Sequence, residues 1–200
     1  MEIKKEFRIL GIDDAPFKKT DEECLVVGTV FRGGSYMDGL LSTKVKVDGD
    51  DATEKILNMV KKSKHFNQLQ CIMLDGIAVA GFNVIDIKKL NKLTGLPVIV
   101  ITRKKPNMKK IIRALKKANE KNKKSENEVK KKLAMIKKAG NVHEVELKNK
   151  KIYFQCSGIS EEKAREIIRL SSSHALVPEP IRIAHLIASG IVLGESRGRA

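Results

Sequence analysis

Two aspartates, Asp13 and Asp75, each follow directly on a short apolar run: Phe7–Ile12 (Phe-Arg-Ile-Leu-Gly-Ile) and Cys71–Leu74 (Cys-Ile-Met-Leu). Runs this short, apolar and bounded by turn residues predict buried strands, so both carboxylates are expected at strand ends. If the two ends are neighbours, the carboxylates repel each other, and a Mg²⁺ or Mn²⁺ ion between them relieves the repulsion. Such a site orients a phosphodiester and activates water. Each residue also has an ordinary explanation, because Asp75-Gly76 and Asp13-Asp14-Ala15-Pro16 are common turn sequences. A third carboxylate is expected from Asp51, with Asp14 and Asp48 as alternatives. Asp51 has a rival duty, since Asp51-Ala-Thr-Glu54 has the spacing of a helix capping box. The expected catalytic and metal set is therefore Asp13, Asp51 and Asp75.

Charge points to a polyanionic partner. The chain of 200 residues carries a formal net charge of +16, and most of it is concentrated in one place. Between Arg103 and Lys138 there are sixteen basic residues against Glu120, Glu126 and Glu128. This Lys-rich segment, 103–139, reads either as a phosphate-gripping arm or as a solvated helix pair. The residues nearest the candidate site, Arg103, Lys104, Lys105, Lys109 and Lys110, are the expected nucleic-acid contacts, for DNA or RNA.

Other classes of chemistry find little support. Cys24, Cys71 and Cys156 are odd in number, far apart and each inside an apolar run; they predict buried thiols in a reducing compartment, hence a cytoplasmic location. No apolar run approaches the ~20 residues of a membrane span, and Met1–Arg8 has no apolar leader. Gly33-Gly34 and Gly194-x-x-x-Gly198 lack the strand–loop–helix setting of a phosphate loop, so no organic cofactor is indicated. His65, His143 and His174 have no zinc spacing. His185, between apolar neighbours, reads as a packed structural histidine. Arg182 either meets a phosphate or pairs with Glu179.

The elements that must position these residues follow from patterning. Strands are expected at Phe7–Ile12, Cys24–Phe31 and Tyr36–Val47, the last two joined by a turn at Arg32-Gly-Gly-Ser35. A helix after Asp51 leads to the strand ending at Asp75. Val84–Leu93 is amphipathic, with Asp86 facing solvent and Gly95 as C-cap, and Pro97–Thr102 is a buried strand. Helices at Met108–Ala118 and Glu128–Ala139 flank a solvated or mobile Asn119–Ser125. Val142–Leu147 and Ile152–Cys156 form a hairpin. Ser160 caps one helix, Pro178-Glu-Pro180 opens the last, and 194–200 is a frayed tail. Length and the 42% hydrophobic content fit one domain, 1–200. Three antiparallel strands, then strands alternating with helices and right-handed crossovers, is the ribonuclease H-like order: α/β, a mixed central sheet with helices on both faces.

Several motifs carry a resemblance. Leu10-Gly-Ile-Asp13-Asp-Ala-Pro-Phe17, Val47-Asp-Gly-Asp-Asp-Ala-Thr53, Leu74-Asp-Gly-Ile-Ala-Val-Ala-Gly-Phe-Asn83, Thr94-Gly-Leu-Pro-Val-Ile-Val100 and Pro178-Glu-Pro-Ile-Arg-Ile-Ala-His185 resemble the mainly archaeal domain-of-unknown-function family ninety-nine. That family is distantly similar to endonuclease V, a Mg²⁺-dependent nuclease of ribonuclease H-like fold that cuts near inosine. The resemblance implies that Gly11-Ile-Asp13 matches its Gly-Val-Asp motif and Leu74-Asp75-Gly76 its second metal aspartate. Its glutamate ahead of a helix falls at Asp51, and its lysine after the fifth strand at Arg103 or Lys104. Two of its histidines have no counterpart, in Val79-Ala-Gly-Phe-Asn-Val84 and in Cys156-Ser-Gly-Ile159. The expected function is Mg²⁺-dependent phosphodiester hydrolysis of nucleic acid; the alternatives are a non-catalytic nucleic-acid-binding protein that kept the fold, or a small-molecule or protein-partner module with a basic decoration.

Overall fold

A computed structural model describes residues 2–121 and 125–196. Strand β1 (Arg8–Asp14) is followed by β2 (Glu23–Arg32), β3 (Tyr36–Lys46) and helix α1 (Ala52–Lys61). Next come β4 (Cys71–Asp75), the small hairpin β5 (Ala78–Val79) and β6 (Asn83–Val84), α2 (Ile87–Thr94) and β7 (Val98–Thr102). Helices α3 (Met108–Lys121) and α4 (Glu126–Lys138) precede the hairpin β8 (His143–Leu147) and β9 (Lys150–Ser157), and α5 (Glu161–Ser171) and α6 (Glu179–Leu193) close the order.

Seven strands form one mixed sheet in the order β3-β2-β1-β4-β7-β9-β8. The parallel core β1-β4-β7 is flanked by antiparallel strands on both sides. This is the expected ribonuclease H-like arrangement. The central strands are apolar on both faces because helices cover both. One core gathers Leu10, Ile12, Ile72, Leu74 and Val100 against Ile56 and Val60 of α1 and Leu90 of α2. The other gathers Ile9, Met73, Ile99 and Ile101 against Ile167 and Ile168 of α5. Helix α6 serves both, with Ile181 in the second core and Ala184 and Ala188 in the first. Among the described residues, no helix is long and apolar enough to cross a membrane.

Several local expectations are corrected. Asp13 and Asp14 lie inside β1, paired with Val27 and Val26, and not in a turn after it. The helix placed at Val84 starts at Ile87, because Asp86 is its N-cap and accepts a 2.9 Å bond from the Lys89 amide; Val84 belongs to β6. Helix α3 runs on to Lys121, past Ala118, and α4 begins two residues early at Glu126. The rest of the segment expected to be mobile, 122–124, and residues 197–200 of the expected frayed tail, lie outside the described residues. Gly95 caps α2 with φ 73°, as expected. The three thiols are free, and burial raises the pKa of each, that of Cys24 to about 12.

Candidate metal and nucleic-acid site

The site begins with register. Strands β1 and β4 are parallel, with Gly11 opposite Met73 and Ile12 opposite Leu74. The next step along both strands brings Asp13 beside Asp75, one inter-strand spacing of roughly 4.8 Å apart and on the same face. The two strand-end aspartates are brought together as the sequence led us to expect.

Gly11 decides what covers them. A side chain there would sit 2.3 Å from the Pro180 carbonyl carbon and 2.5 Å from the Ile181 amide nitrogen. The missing Cβ lets the first turn of α6 rest directly on β1, and Thr29 Oγ1 donates a 2.6 Å bond to the Pro180 carbonyl. From that anchor, two residues along the strand advance about 6.7 Å and four along the helix about 6 Å. Gly11 to Asp13 and Ile181 to His185 therefore keep step. His185 Nδ1 lies 2.9 Å from Asp13 Oδ2.

Asp13, Asp14, Asp75, Arg103 and His185, with Ala15 and Pro16, line an open cleft of about 400 Å³ at the carboxyl ends of the central strands. Asp13 is only 4% exposed. Burial pushes its pKa up to about 7 against the hydrogen bond from His185, and the charges of Asp75 and Asp14 add to the rise. Burial also raises Asp75, while Arg103, whose Nη2 is 3.9 Å from Asp75 Oδ2, and His185 draw it down. His185 is raised, chiefly by its bond to Asp13. The charges of Asp13, Asp75 and His185 thus act on one another across the cleft. His185 Nε2 is buried with no hydrogen-bond partner.

Asp14, at the rim of the same cleft, is engaged by the backbone: its Oδ2 accepts a 2.7 Å bond from the Ala80 amide, fixing the loop between β5 and β6, and burial raises its pKa. Asp51 does not join the site: its Oδ1 accepts from Asn83 Nδ2 at 2.7 Å and from the Lys46 amide at 3.1 Å. Nor does it form a capping box. Asn83, 0% exposed, takes the Ala52 amide at the start of α1. Asp48 is likewise engaged elsewhere, accepting from the Phe82 amide at 2.8 Å. Among the described residues no three His, Cys, Asp or Glu side chains are grouped to hold a metal ion; of the expected three aspartates, Asp13 and Asp75 line the cleft and Asp51 does not. Arg182 pairs with Glu179 through two bonds of 2.9 and 2.7 Å.

His185 is the residue that sequence reasoning passed over. Its apolar neighbours in the chain suggested packing, and the two absent histidines suggested that none remained at the site. The signal that could have found it is the pairing of Gly11, a gap in an otherwise bulky strand, with the proline-bounded start of α6.

A family model described as endonuclease dU matches residues 5–192. The chain belongs to that family. The assignment to family ninety-nine is not confirmed by this match; the archaeal relatives and the endonuclease V-like fold are. The chain is 52% identical over 200 residues to a UPF0215 protein of Methanothermobacter thermautotrophicus, covering 100% of this chain and 94% of that one. Among solved structures it is similar to a protein of unknown function from Archaeoglobus fulgidus, with TM-score 0.80 and 37% identity over 92% of this chain and 98% of the other. It also shares the fold of Ciona intestinalis endonuclease V in complex with an inosine-containing DNA, with TM-score 0.55 and 19% identity over 89% and 82% of the two chains.

Proposed function

We propose that this endonuclease dU family member hydrolyses phosphodiester bonds of nucleic acid with the help of Mg²⁺ or Mn²⁺ held by Asp13 and Asp75. The observation that carries this reading is the pair of adjacent, buried carboxylates at the carboxyl edge of a ribonuclease H-like sheet, with their pKa values raised by burial. A cation would relieve that strain. The donor set suits Mg²⁺, which is commonly held by one or two carboxylates with water and substrate phosphate completing its shell, so a third aspartate is not required. When bound, the ion supplies charge neutralisation at the phosphodiester.

The chain's own groups do the rest. Arg103 sets a fixed positive charge beside Asp75, suited to a phosphate oxygen. His185 holds a proton against Asp13 and can pass it on as the local charge changes. The exposed Lys104, Lys105, Lys109 and Lys110 follow Arg103 and grip the nucleic-acid backbone. The family description and the DNA complex of the endonuclease V fold relative support DNA as the substrate.

The test is incubation of the purified protein with uracil-containing, inosine-containing and ordinary DNA and RNA in Mg²⁺ or Mn²⁺. Cleavage that needs the ion and disappears in Asp13→Asn is expected. One observation favours a second reading, a nucleic-acid-binding protein without catalysis: His185 already occupies Asp13 Oδ2. Salt-dependent binding unchanged by Asp13→Asn, with no cleavage of any strand, would establish that reading in place of the first.

A further inference from the structure

Phe82 is half-buried and belongs to neither core, yet the backbone that carries it is held from three elements. With Ala80 and Gly81 it forms the tip between β5 and β6. The Ala80 amide donates a 2.7 Å bond to Asp14 Oδ2, and the Phe82 amide a 2.8 Å bond to Asp48 Oδ1. The Ala80 carbonyl accepts from the Asp48 amide at 2.8 Å. Asp48 is tied in its turn: its carbonyl accepts a 2.8 Å bond from Nζ of Lys132 on α4, a lysine only 5% exposed. Ala80 (φ 48°) and Asp48 (φ 53°) are both left-handed, a conformation unusual for an alanine. Such backbone persists where the surroundings over-determine it, and it gathers at ligand sites.

The tip forms one wall of a pocket of about 400 Å³, completed by Phe17 from the loop after β1 and by Ala114 and Lys117 of α3. A Cβ on Gly81 would lie 3.6 Å from Phe17 Cζ, so the end of the Phe17 ring reaches the tip beside Phe82. Aromatic side chains are scarce, with six Phe, two Tyr and no Trp, and two of them meet at one open pocket. Its cations are the exposed Lys19 and Lys117. Its carboxylate, Asp48, is already engaged by the Phe82 amide. The pocket also adjoins the carboxylate cleft, because Ala15 and Pro16 line the cleft and Phe17 follows them. Four residues of chain span at most about 14 Å, which bounds the distance from Asp13 to Phe17. Asp13 and Asp14, adjacent in β1, thus divide two tasks: one faces His185, the other fixes the aromatic tip to the same strand end.

We infer that Phe17 and Phe82 form a stacking site for a base of the strand whose phosphate lies in the cleft, a few nucleotides away, and that the strand is held there unpaired. This rests on the nucleic-acid reading above and adds the state of the strand. Aromatic rings with flanking lysines are the usual means of holding single-stranded nucleic acid: the rings take the faces of the bases and the lysines take the phosphates. Every base has such a face, so the site reads no sequence and treats ordinary and altered bases alike. A base inside a duplex is already stacked on both sides, and leaving its neighbours costs free energy that an unpaired base does not spend. The site therefore favours a single strand over a duplex.

The test uses binding in EDTA, so that it does not depend on cleavage. A short fluorescein-labelled oligothymidylate, the same sugar-phosphate backbone made of abasic spacers, and the oligothymidylate paired with oligodeoxyadenylate are titrated with the full chain. Wild type is expected to bind the single thymidine strand about tenfold or more tightly than the abasic strand, and more tightly than the duplex. Phe82→Leu keeps the apolar volume and loses the ring, so it binds the thymidine and abasic strands alike, with the slope of log affinity against log salt unchanged. Phe17→Leu does the same; should it fail to fold, Phe82 decides the matter, since it belongs to neither core. Phe82→Trp keeps the preference, and as the only Trp of the chain its fluorescence is quenched by the thymidine strand and not by the abasic one. Equal binding of the two single strands by wild type overturns the proposal, as does a preference that survives Phe82→Leu or a Trp that is not quenched. The preference in a protein that cleaves nothing in Mg²⁺ upholds the stacking site and removes only the nuclease reading; cleavage without the preference removes only the stacking site. No binding of any strand at low salt overturns both.

Discussion

Asp13 and His185, 172 residues apart in the chain, meet across the β1–α6 contact with 2.9 Å between Oδ2 and Nδ1. A carboxylate this deeply buried and this close to Asp75 is an electrostatic cost to the fold. A cation held by the pair, as proposed above, would offset that cost. On that proposal stability and function pull against each other at one residue, and the opposition can be measured.

The first prediction concerns pH. The pKa of Asp13 rises from 3.8 to about 7 on folding, so between those values the folded state binds the proton that the unfolded state has lost. Stability from this group is intact below about pH 4 and is lost as pH rises toward 7. His185, also raised, has the same sign: its contribution is full below 6.5 and falls away above. In EDTA, Asp13→Asn should gain stability relative to wild type progressively from pH 4 to pH 8. Mg²⁺ should then raise the wild-type Tm more at pH 8 than at pH 5.5, and leave Asp13→Asn unmoved. At about a hundredfold excess over its Kd the ion contributes about 2.7 kcal/mol, several degrees for a chain of this size. Thermal melts across pH, with and without Mg²⁺, give the answer; a Tm indifferent to the ion at every pH would remove the metal site.

Much of this is legible in the sequence. Phe7–Ile12, Cys71–Leu74 and Pro97–Thr102 are apolar without alternation, the mark of strands covered on both faces, and their order fixes which ends are adjacent. Asp13 and Asp75 could therefore be paired on strand order alone. Asp51 could not be placed, because its capping-box spacing is a local signal and the competitor is remote: Asn83, from the two-residue strand β6, too short to show a pattern of its own, satisfies the Ala52 amide and the Asp51 carboxylate together. His185 was hidden for a related reason. A helix that lies on a strand shows its inner face in periodicity, but which polar residue ends up over a carboxylate depends on how closely helix and strand approach.

That approach is the subject of the second prediction. Gly11→Ala puts a methyl group against backbone, not against a side chain that can turn aside. The first turn of α6 must move, at a cost of about 1–3 kcal/mol or more. His185 moves with it, so its pKa, raised by Asp13, should drop back toward 6.5. Chemical denaturation and an NMR titration of the histidine ring measure the two effects. A variant as stable as wild type with an unshifted histidine would show that α6 does not depend on this gap.

The third prediction separates Asp51 from the metal site. Asp51→Ala removes the acceptor used by Asn83 Nδ2 and the Lys46 amide, and leaving such groups unpaired costs about 1–3 kcal/mol. Stability should fall, while the rise in Tm on adding Mg²⁺ stays as in wild type. Asp75→Ala should do the reverse, abolishing the Mg²⁺ response. If Asp51→Ala also abolished it, Asp51 would have to be restored as a ligand.

The fourth prediction concerns the cationic segment, where two roles were open: grip on phosphate, or charge that keeps a helix pair in water. Lys104, Lys105, Lys109 and Lys110 are all exposed and follow directly on Arg103, which reaches into the cleft. Residues that contact phosphate release bound counterions, so each contact adds about 0.7 to the slope of log affinity against log salt on a single strand, and about 0.9 on a duplex. Changing all four to Gln should flatten that slope by up to roughly 3 units and weaken binding alike for uracil-containing and ordinary DNA. An unchanged slope in the first variant would leave the lysines beside the cleft as solvated surface and move the backbone contacts elsewhere.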